Sequence, residues 1–534
     1  MQFEYRYIPY EKTGKFSRLA TDYVNEVAAL NPFISFSANK EGIAKAIEAR
    51  KKYPVDRVTL VEVLHQQYSG IALETEVKTN IELLKSENTF SICTAHQPNL
   101  ATGYLYFIYK ILHAIRMAEE LKKIHTTLNF VPIYYMGSED ADLDELGTFN
   151  FRGETFTWDG AGQTGAVGRM STQGIEKLLS KLFKIMGPPG KQCDELIEML
   201  VNAYQKQKTI GRATIQLVNE LFGKYGLVIV DPDHAALKRQ FIPAIKDELL
   251  NRSSFDIVSK HAAELEKVYH IQAPPRPLNL FYLFEDRRDR IEYLGNDEWQ
   301  VVNTNLFWDK TTLMQLVEQH PERFSPNVIL RGVFQETVLP NIVFIGGGAE
   351  VAYWLELKTL FEHHKTFYPV IFLRQSVTFC TPKTSSQLAK IEVDFEDLFL
   401  SKHTLETKIV NAIKEENADT TPEMNALRDA VDMLKQKIGK INPQLEISTN
   451  VMEQKMKHLI ANMEKKITRH EKKKHADRLE AVTTVQSHIF PKGSLQERYE
   501  NFTEYYSEFG NTFIDGIARG ILPFNNTFLL ITCK

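Results

Sequence analysis

Apolar residues recur along this chain with two periods, and the points where one gives way to the other mark its candidate chemistry. Residues 90–94 read as a short buried strand. In 104–123, Leu105, Ile108, Ile111, Leu112, Ile115, Ala118 and Leu121 recur at three- and four-residue steps, which predicts a helix with one buried face. Between them lies Thr94-Ala95-His96-Gln97-Pro98-Asn99-Leu100-Ala101-Thr102-Gly103. In an open α/β sheet such a loop sits at the carboxyl end of its strand, where ligands bind; a plain turn built on Pro98 and Gly103 is the competing reading. The pattern repeats at 129–136, an apolar strand followed by Gly137-Ser138-Glu139-Asp140-Ala141-Asp142-Leu143-Asp144-Glu145. These carboxylates suit either the solvated first turn of a helix or the same crevice as the first loop.

Two later stretches continue the theme. Residues 226–233 form an apolar strand ending in Asp231-Pro232-Asp233, and Ile342-Val343-Phe344-Ile345 runs into Gly346-Gly347-Gly348 and a helix over 351–361. That glycine turn suits close approach by an anion or a sugar, or merely a tight bend. It is not a phosphate-loop signature, because neither Gly-Lys-Ser/Thr nor Gly-x-Gly-x-x-Gly is present. A further strand over 368–374 ends at Arg374-Gln375-Ser376.

The remaining segments surround this core. Helices are predicted from residue 17 to Asn31-Pro32, over 58–68 and over 71–84, with no evident chemistry. Alternation over 149–158 predicts a hairpin that opens an insertion running to about residue 205. Helices over 237–269 lead to strands over 278–294, where Arg287, Arg288 and Arg290 form either a solvated turn or a rim attractive to anions. Farther on, Leu427, Val431, Leu434, Ile438, Ile441 and Leu445 step like a coiled-coil seam, and Asn442-Pro443 marks a helix boundary. Met452, Met456, Leu459, Met463 and Ile467 continue it in a second helix. The apolar tail at 528–531 is expected to return to the core, since it would otherwise be an exposed edge.

Composition narrows the function. At 534 residues the chain is large enough for an α/β body with appended pieces, and its net charge of -4 offers no global basic field for nucleic acid. The basic run Lys465, Lys466, Arg469, Lys472, Lys473 and Lys474 reads as the exposed face of a long helix. No targeting segment or membrane-length apolar run is present, so a soluble cytoplasmic protein without a membrane partner is expected. Four scattered cysteines fit a reducing compartment and provide no metal pair; Cys93 near His96 lacks two further ligands, so no structural metal is expected.

Several blocks in order resemble the bacillithiol synthase family, the cysteine-adding enzymes of bacillithiol biosynthesis. They are Thr94-x-x-Gln97-Pro98-x-Leu100-x-x-Gly103-x-Leu105-Tyr106-x-x-Tyr109-Lys110, Val131-Pro132 with Glu139-Asp140-x-Asp142, and Val328-Ile329-Leu330-Arg331 through Gly346-Gly347-x-x-Glu350-x-Ala352-Tyr353-Trp354. Leu495-Gln496-Glu497-Arg498 and Asn501-Phe502 add a C-terminal block, so the resemblance spans nearly the whole chain. Ala95-His96 stands where the family often has Gly-Gln, and Ala141 where it has a histidine.

The resemblance implies an α/β fold: a Rossmann-like parallel-sheet core over 1–385 with connecting insertions at about 149–205 and 250–325, a long helical antiparallel coiled coil over 386–490 that dimerises the protein, and a returning segment over 491–534. The implied reaction joins the carboxylate of L-cysteine to the amino group of glucosaminyl-malate, with ATP activating the acid as an acyl-adenylate or acyl-phosphate and Mg²⁺ as a candidate companion. Glu139, Asp140, Asp142 and His96 become candidates for proton transfer. Gln97, Pro98, Asn99, Gly103, Tyr106 and Lys110 in the first block, with Arg331, Gln335, Gly346, Gly347, Gly348, Glu350, Tyr353 and Trp354, become candidates for substrate binding. Arg374, Gln375, Ser376, Phe490 and Tyr506 become candidates for a nucleotide cleft between core and coiled coil. Another adenylate-forming ligase or nucleotidyltransferase of this layout, a nucleotide-sensing dimer, and a tRNA-binding protein are the alternatives.

Overall fold

A computed structural model describes residues 2–533 apart from Pro188, Pro189, Glu285, 418–420 and 442–445. Its centre is a five-stranded parallel sheet in the spatial order Val370–Leu373, Asn341–Gly346, Thr89–His96, Asn129–Met136, Val228–Val230. The strand earliest in sequence is central, and the chain builds outward from it first on one side and then on the other. This is the Rossmann-like order, and its topological switch point lies between Thr89–His96 and Asn341–Gly346. The Thr89–His96 strand is buried on both faces, as expected where helices cover a parallel sheet on both sides. The 19-residue helix Tyr106–Ile124 packs its apolar stripe against this strand and the next.

The first insertion supplies the hairpin Thr148–Phe151/Glu154–Thr157 and the helices Ile175–Ile185 and Lys191–Tyr204. The second carries a five-stranded sheet of Phe307–Asp309, Glu298–Val301, Arg287–Gly295, Leu280–Phe284 and Phe324–Pro326. There the arginine cluster lies within the Arg287–Gly295 strand rather than in a turn, with Arg288 opposite Leu283. The helix expected over 71–84 is shorter, Thr75–Leu83.

Both ends of the chain share a third sheet. Thr527–Cys533 is its middle strand, antiparallel to Phe3–Pro9 and parallel to Val377–Phe379, so the apolar tail has neighbours on both edges. The N-terminal strand went unrecognised in the sequence because its apolar residues alternate with Glu4 and Arg6 and its partner lies at the far end of the chain.

The helical region comprises Lys402–Asn417, Thr421–Ile441, Glu446–Lys474 and Ala476–Ile489. Thr421–Ile441 packs on Glu446–Lys474, with Lys435 Nζ 2.8 Å from Glu453 Oε2. Asn442-Pro443 and Leu445 lie outside the described residues. The anticipated seam is only partly internal. Val431 is buried, but Leu434 and Ile441 are 50% and 80% exposed, as are Leu459 and Met463 at 66% and 56%. A single hairpin has enough partner surface to cover one stripe of each helix, and the others remain open. No helix among the described residues is long and apolar enough to cross a membrane.

Candidate active site

The carboxyl ends of the central strands and the second insertion enclose a cavity of about 590 Å³. Its walls include His96, Gln97, Tyr106, Lys110, Glu139, Asp140, Arg331, Gly347, Gly348, Glu350, Tyr353 and Arg374, which the sequence had placed in separate blocks. Both loops flanking the switch point contribute, which is the usual position for a ligand in an open α/β sheet.

The charges fall into neutralised pairs and open groups. Lys110 is 3% exposed at its side chain and donates to Glu350 Oε2 and the Ala95 carbonyl, both at 2.6 Å. The same Glu350 oxygen accepts from the Gly347 N–H at 2.7 Å. The glycine turn thus starts its helix on an internal carboxylate, and Gly346 is required because a Cβ there would lie 2.8 Å from Glu350 Cβ. Burial lowers the Lys110 pKa, opposed by Glu350. Arg374 forks onto Glu497 with two contacts of 2.8 Å, joining the end of the outer strand to the C-terminal segment. Glu139 is likewise engaged: Lys238 donates to one oxygen and Ser325 Oγ to the other at 2.9 Å.

Asp140 is more open. Its Oδ2 accepts from Gln97 Nε2 at 3.1 Å and its Oδ1 from the Ala141 N–H at 2.8 Å, with Arg288 Nη1 4.0 Å away. Glu145 also lines the cavity, its pKa raised by burial and by the neighbouring Asp142 and Asp140. Arg331 donates to the Tyr353 hydroxyl at 2.7 Å and forms no salt bridge with a carboxylate among the described residues. Arg498 reaches the same space. His96 is buried beside Tyr106 and Phe107, and its Nε2 has no hydrogen-bond partner. Burial, then the Lys110, Arg331 and Arg374 cations, push its pKa well down, so a neutral imidazole faces the cavity.

Other candidates from the sequence are not brought to this space. Asp142 is exposed and caps the Leu143–Leu146 turn by accepting from Glu145 N. Pro98, Asn99 and Gly103 shape the loop behind the cavity. Ala101 and Thr102 have φ of 47° and 66°, a conformation braced by Asn501 Nδ2 on the Ala101 carbonyl (2.7 Å) and by Tyr204 OH on Ala101 N (2.8 Å). Gly103 has φ 68°, and a Cβ there would meet Asn99 Cβ at 2.9 Å. Gln335 is buried on Glu336, and Trp354 packs on Phe344 and Phe361.

Of the proposed nucleotide residues only Arg374 lines this cavity, and the others have partners outside it. Gln375 accepts from Leu522 N, Ser376 N donates to Tyr10 OH, Phe490 packs on Phe399 under Lys15, and Tyr506 is buried against Phe502. Residue 141 is also outside the cavity lining, so alanine there leaves these walls intact.

Sequence reasoning gave no site role to Tyr135 or Lys238, and left Arg288 and Glu145 between a solvated position and the edge of the site. Arg288 stacks over Phe281 at 4.0 Å and donates to Ser325 Oγ at 3.1 Å, which aims it inward from a strand that otherwise looks solvated. Its signal was present in the arginine cluster, but alternation alone does not say which side of a sheet is covered.

One buried carboxyl beside this site contributes a pH-dependent part of the stability. Asp231, bonded by Ser138, has its pKa raised to about 7 by burial and by Asp233. Its unfolded value is about 3.9, so the folded chain holds a proton that the unfolded chain has lost between those limits. Stability from this group is complete below about pH 4 and is lost as pH rises through about 7. The Asp231→Asn chain is expected to show a flatter unfolding midpoint between pH 5 and 8; an unchanged slope would exclude Asp231 as its source.

Comparison with known proteins agrees with this architecture. Residues 3–375 match the family described as Bacillithiol biosynthesis BshC, N-terminal Rossmann-like domain, and residues 377–533 match its C-terminal coiled-coil domain. A protein of Flavobacterium psychrophilum is 38% identical over 98% of both chains, and one of Flavobacterium johnsoniae 37% identical over 98% of this chain and 99% of its own. A more distant one from Bacillus mycoides is 25% identical over 94% of this chain and 95% of its own. All three are named "Putative cysteine ligase BshC". With both domain types matched in order across the sheet and the helical region, the chain belongs to the BshC family of bacillithiol biosynthesis.

Proposed function

We propose that this ligase joins the carboxylate of L-cysteine to the amino group of glucosaminyl-malate in the switch-point cavity. The observation that carries the reading is the coexistence there of Arg331, which makes no carboxylate salt bridge among the described residues, with the open carboxylates Asp140 and Glu145. A malyl group brings two carboxylates, for which Arg331, with Arg288 and Arg498 nearby, supplies forked donors. A glucosamine amine arrives as an ammonium and must lose a proton before it can attack. Asp140, steadied by Gln97, is placed to accept that proton, while Glu139 is committed to Lys238 and orders the loop. His96 adds a neutral ring to the cavity wall.

Amide formation from a free carboxylate needs an activating co-reactant, for which ATP is the candidate. The test is therefore purified protein with cysteine, glucosaminyl-malate, ATP and Mg²⁺, read by mass spectrometry for the condensed thiol and for AMP or ADP. Product with AMP indicates an acyl-adenylate, and product with ADP an acyl-phosphate. Failure to bind glucosaminyl-malate would overturn the substrate assignment. In the same assay Asp140→Asn is expected to lower kcat by roughly 10²- to 10⁴-fold with little change in binding; wild-type turnover would remove it as the base.

The exposed apolar stripe of the helical hairpin supports a homodimer through the coiled coil. Ile441→Glu with Leu459→Glu is expected to convert a dimer to a monomer in sedimentation velocity. An unchanged dimer would place the interface elsewhere.

A further inference from the structure

The helix that forms one cavity wall ends in a cluster that the ligase reading does not use. Gly348–His363 begins beside the cavity with Glu350 and finishes at His363, with His364 as its C-cap. At 1.5 Å per residue, this end lies about 20 Å along the helix from Glu350. Both imidazoles meet Asp247 of the Ile242–Asn251 helix, and one potential ligand atom from each of the three side chains lies within 4.8 Å of the other two.

The local bonding favours a cation. Asp247 Oδ1 accepts from Asn251 Nδ2 at 2.8 Å and Ser253 Oγ at 3.1 Å, leaving Oδ2 facing His363 Nε2 at 3.0 Å. The two histidine rings pack edge to face with centroids 4.9 Å apart. A simple His363–Asp247 pair accounts for two members of the cluster. It does not account for His364, whose Nε2 is buried without a hydrogen-bond partner. The last carbonyls of a long helix also carry partial negative charge, which favours a positive ion at this end.

Two imidazoles and one carboxylate are borderline ligands that suit zinc and its first-row neighbours better than calcium or magnesium. We propose that Asp247, His363 and His364 bind one zinc-class divalent ion, with solvent completing its coordination. The ion fastens the C-terminal end of the cavity-wall helix to the Ile242–Asn251 helix. On binding, the His363–Asp247 hydrogen bond gives way to two metal–ligand bonds, and the proton on His363 Nε2 moves to Nδ1 in a neutral ring or is released to solvent from an imidazolium. This site is not legible along the chain, because Asp247 and His363 are 116 positions apart and no Cys or His spacing motif links them.

The test uses the full-length chain, stripped with a chelator and titrated with Zn²⁺, with Co²⁺ as a spectroscopic probe. The expected result is one equivalent bound at micromolar affinity or tighter, with visible cobalt d–d absorption that zinc displaces. Asp247→Asn and His364→Ala should each weaken binding at least about tenfold. His363→Gln, at an exposed position that leaves packing intact, should do the same. Zinc should raise the unfolding temperature of the wild type and not that of these variants. Absence of saturable binding, or equal binding by wild type and His363→Gln, would overturn the assignment.

Discussion

Arg331→Met is expected to lower kcat/KM by roughly 10²- to 10³-fold, equivalent to about 3–4 kcal/mol of transition-state binding, while leaving the protein folded. The guanidinium is held at the cavity wall by the Tyr353 hydroxyl and has no carboxylate salt bridge among the described residues. Burial costs this cation part of its hydration, which Tyr353 and the nearby Glu350 carboxylate offset. Its removal deprives the protein of one hydrogen bond, about 1 kcal/mol, and relieves part of that desolvation cost. Stability should therefore change little while the affinity for a dicarboxylate substrate collapses. Arg331→Lys should recover only part of the loss, because an ammonium does not present a forked pair of donors. Steady-state kinetics together with thermal unfolding of both variants provide the check. A wild-type KM for glucosaminyl-malate in Arg331→Met would remove the residue from substrate recognition.

Glu497→Gln is expected to have the opposite profile, a stability loss of about 3–5 kcal/mol. Glu497 is fully buried and Arg374 is 5% exposed, so each compensates a charge that water cannot reach. The pair also joins distant parts of the chain: Arg374 follows the Val370–Leu373 strand, while Glu497 additionally accepts from Val377 N at 3.2 Å. Losing one partner strands the other. Replacing both, in Arg374→Met with Glu497→Leu, should cost less than the sum of the single changes, because no charge is then left uncompensated. Denaturant unfolding of the three variants gives the coupling energy. Additive losses would mean that the two side chains act independently.

Much of this organisation could be read from the chain itself. The change from strand to helix periodicity at residue 96, and again after Met136, located the two loops that meet at the cavity, since burial on a sheet or a helix imposes those periods directly. The glycine turn at 346–348 was also legible, although the structure gives its lead amide to Glu350 rather than leaving it free. Local pattern determined elements because the forces that set them act over a few residues.

Pairing across hundreds of positions was decided only by the tertiary structure. Glu139 and Asp140 are adjacent and chemically alike, yet Lys238 and Ser325 neutralise and bond one while the other stays open. Nothing in the acidic run itself distinguishes them. Asn99 and Gly103 look like ligand contacts in a motif, but with Asn501 they belong to a braced left-handed bend. Arg288 looks like a surface charge until Phe281 and Ser325 fix its direction. A side chain's type and spacing determine what it can do. Whether its charge is already compensated depends on partners that folding alone brings within a few ångströms, where burial makes that compensation decisive.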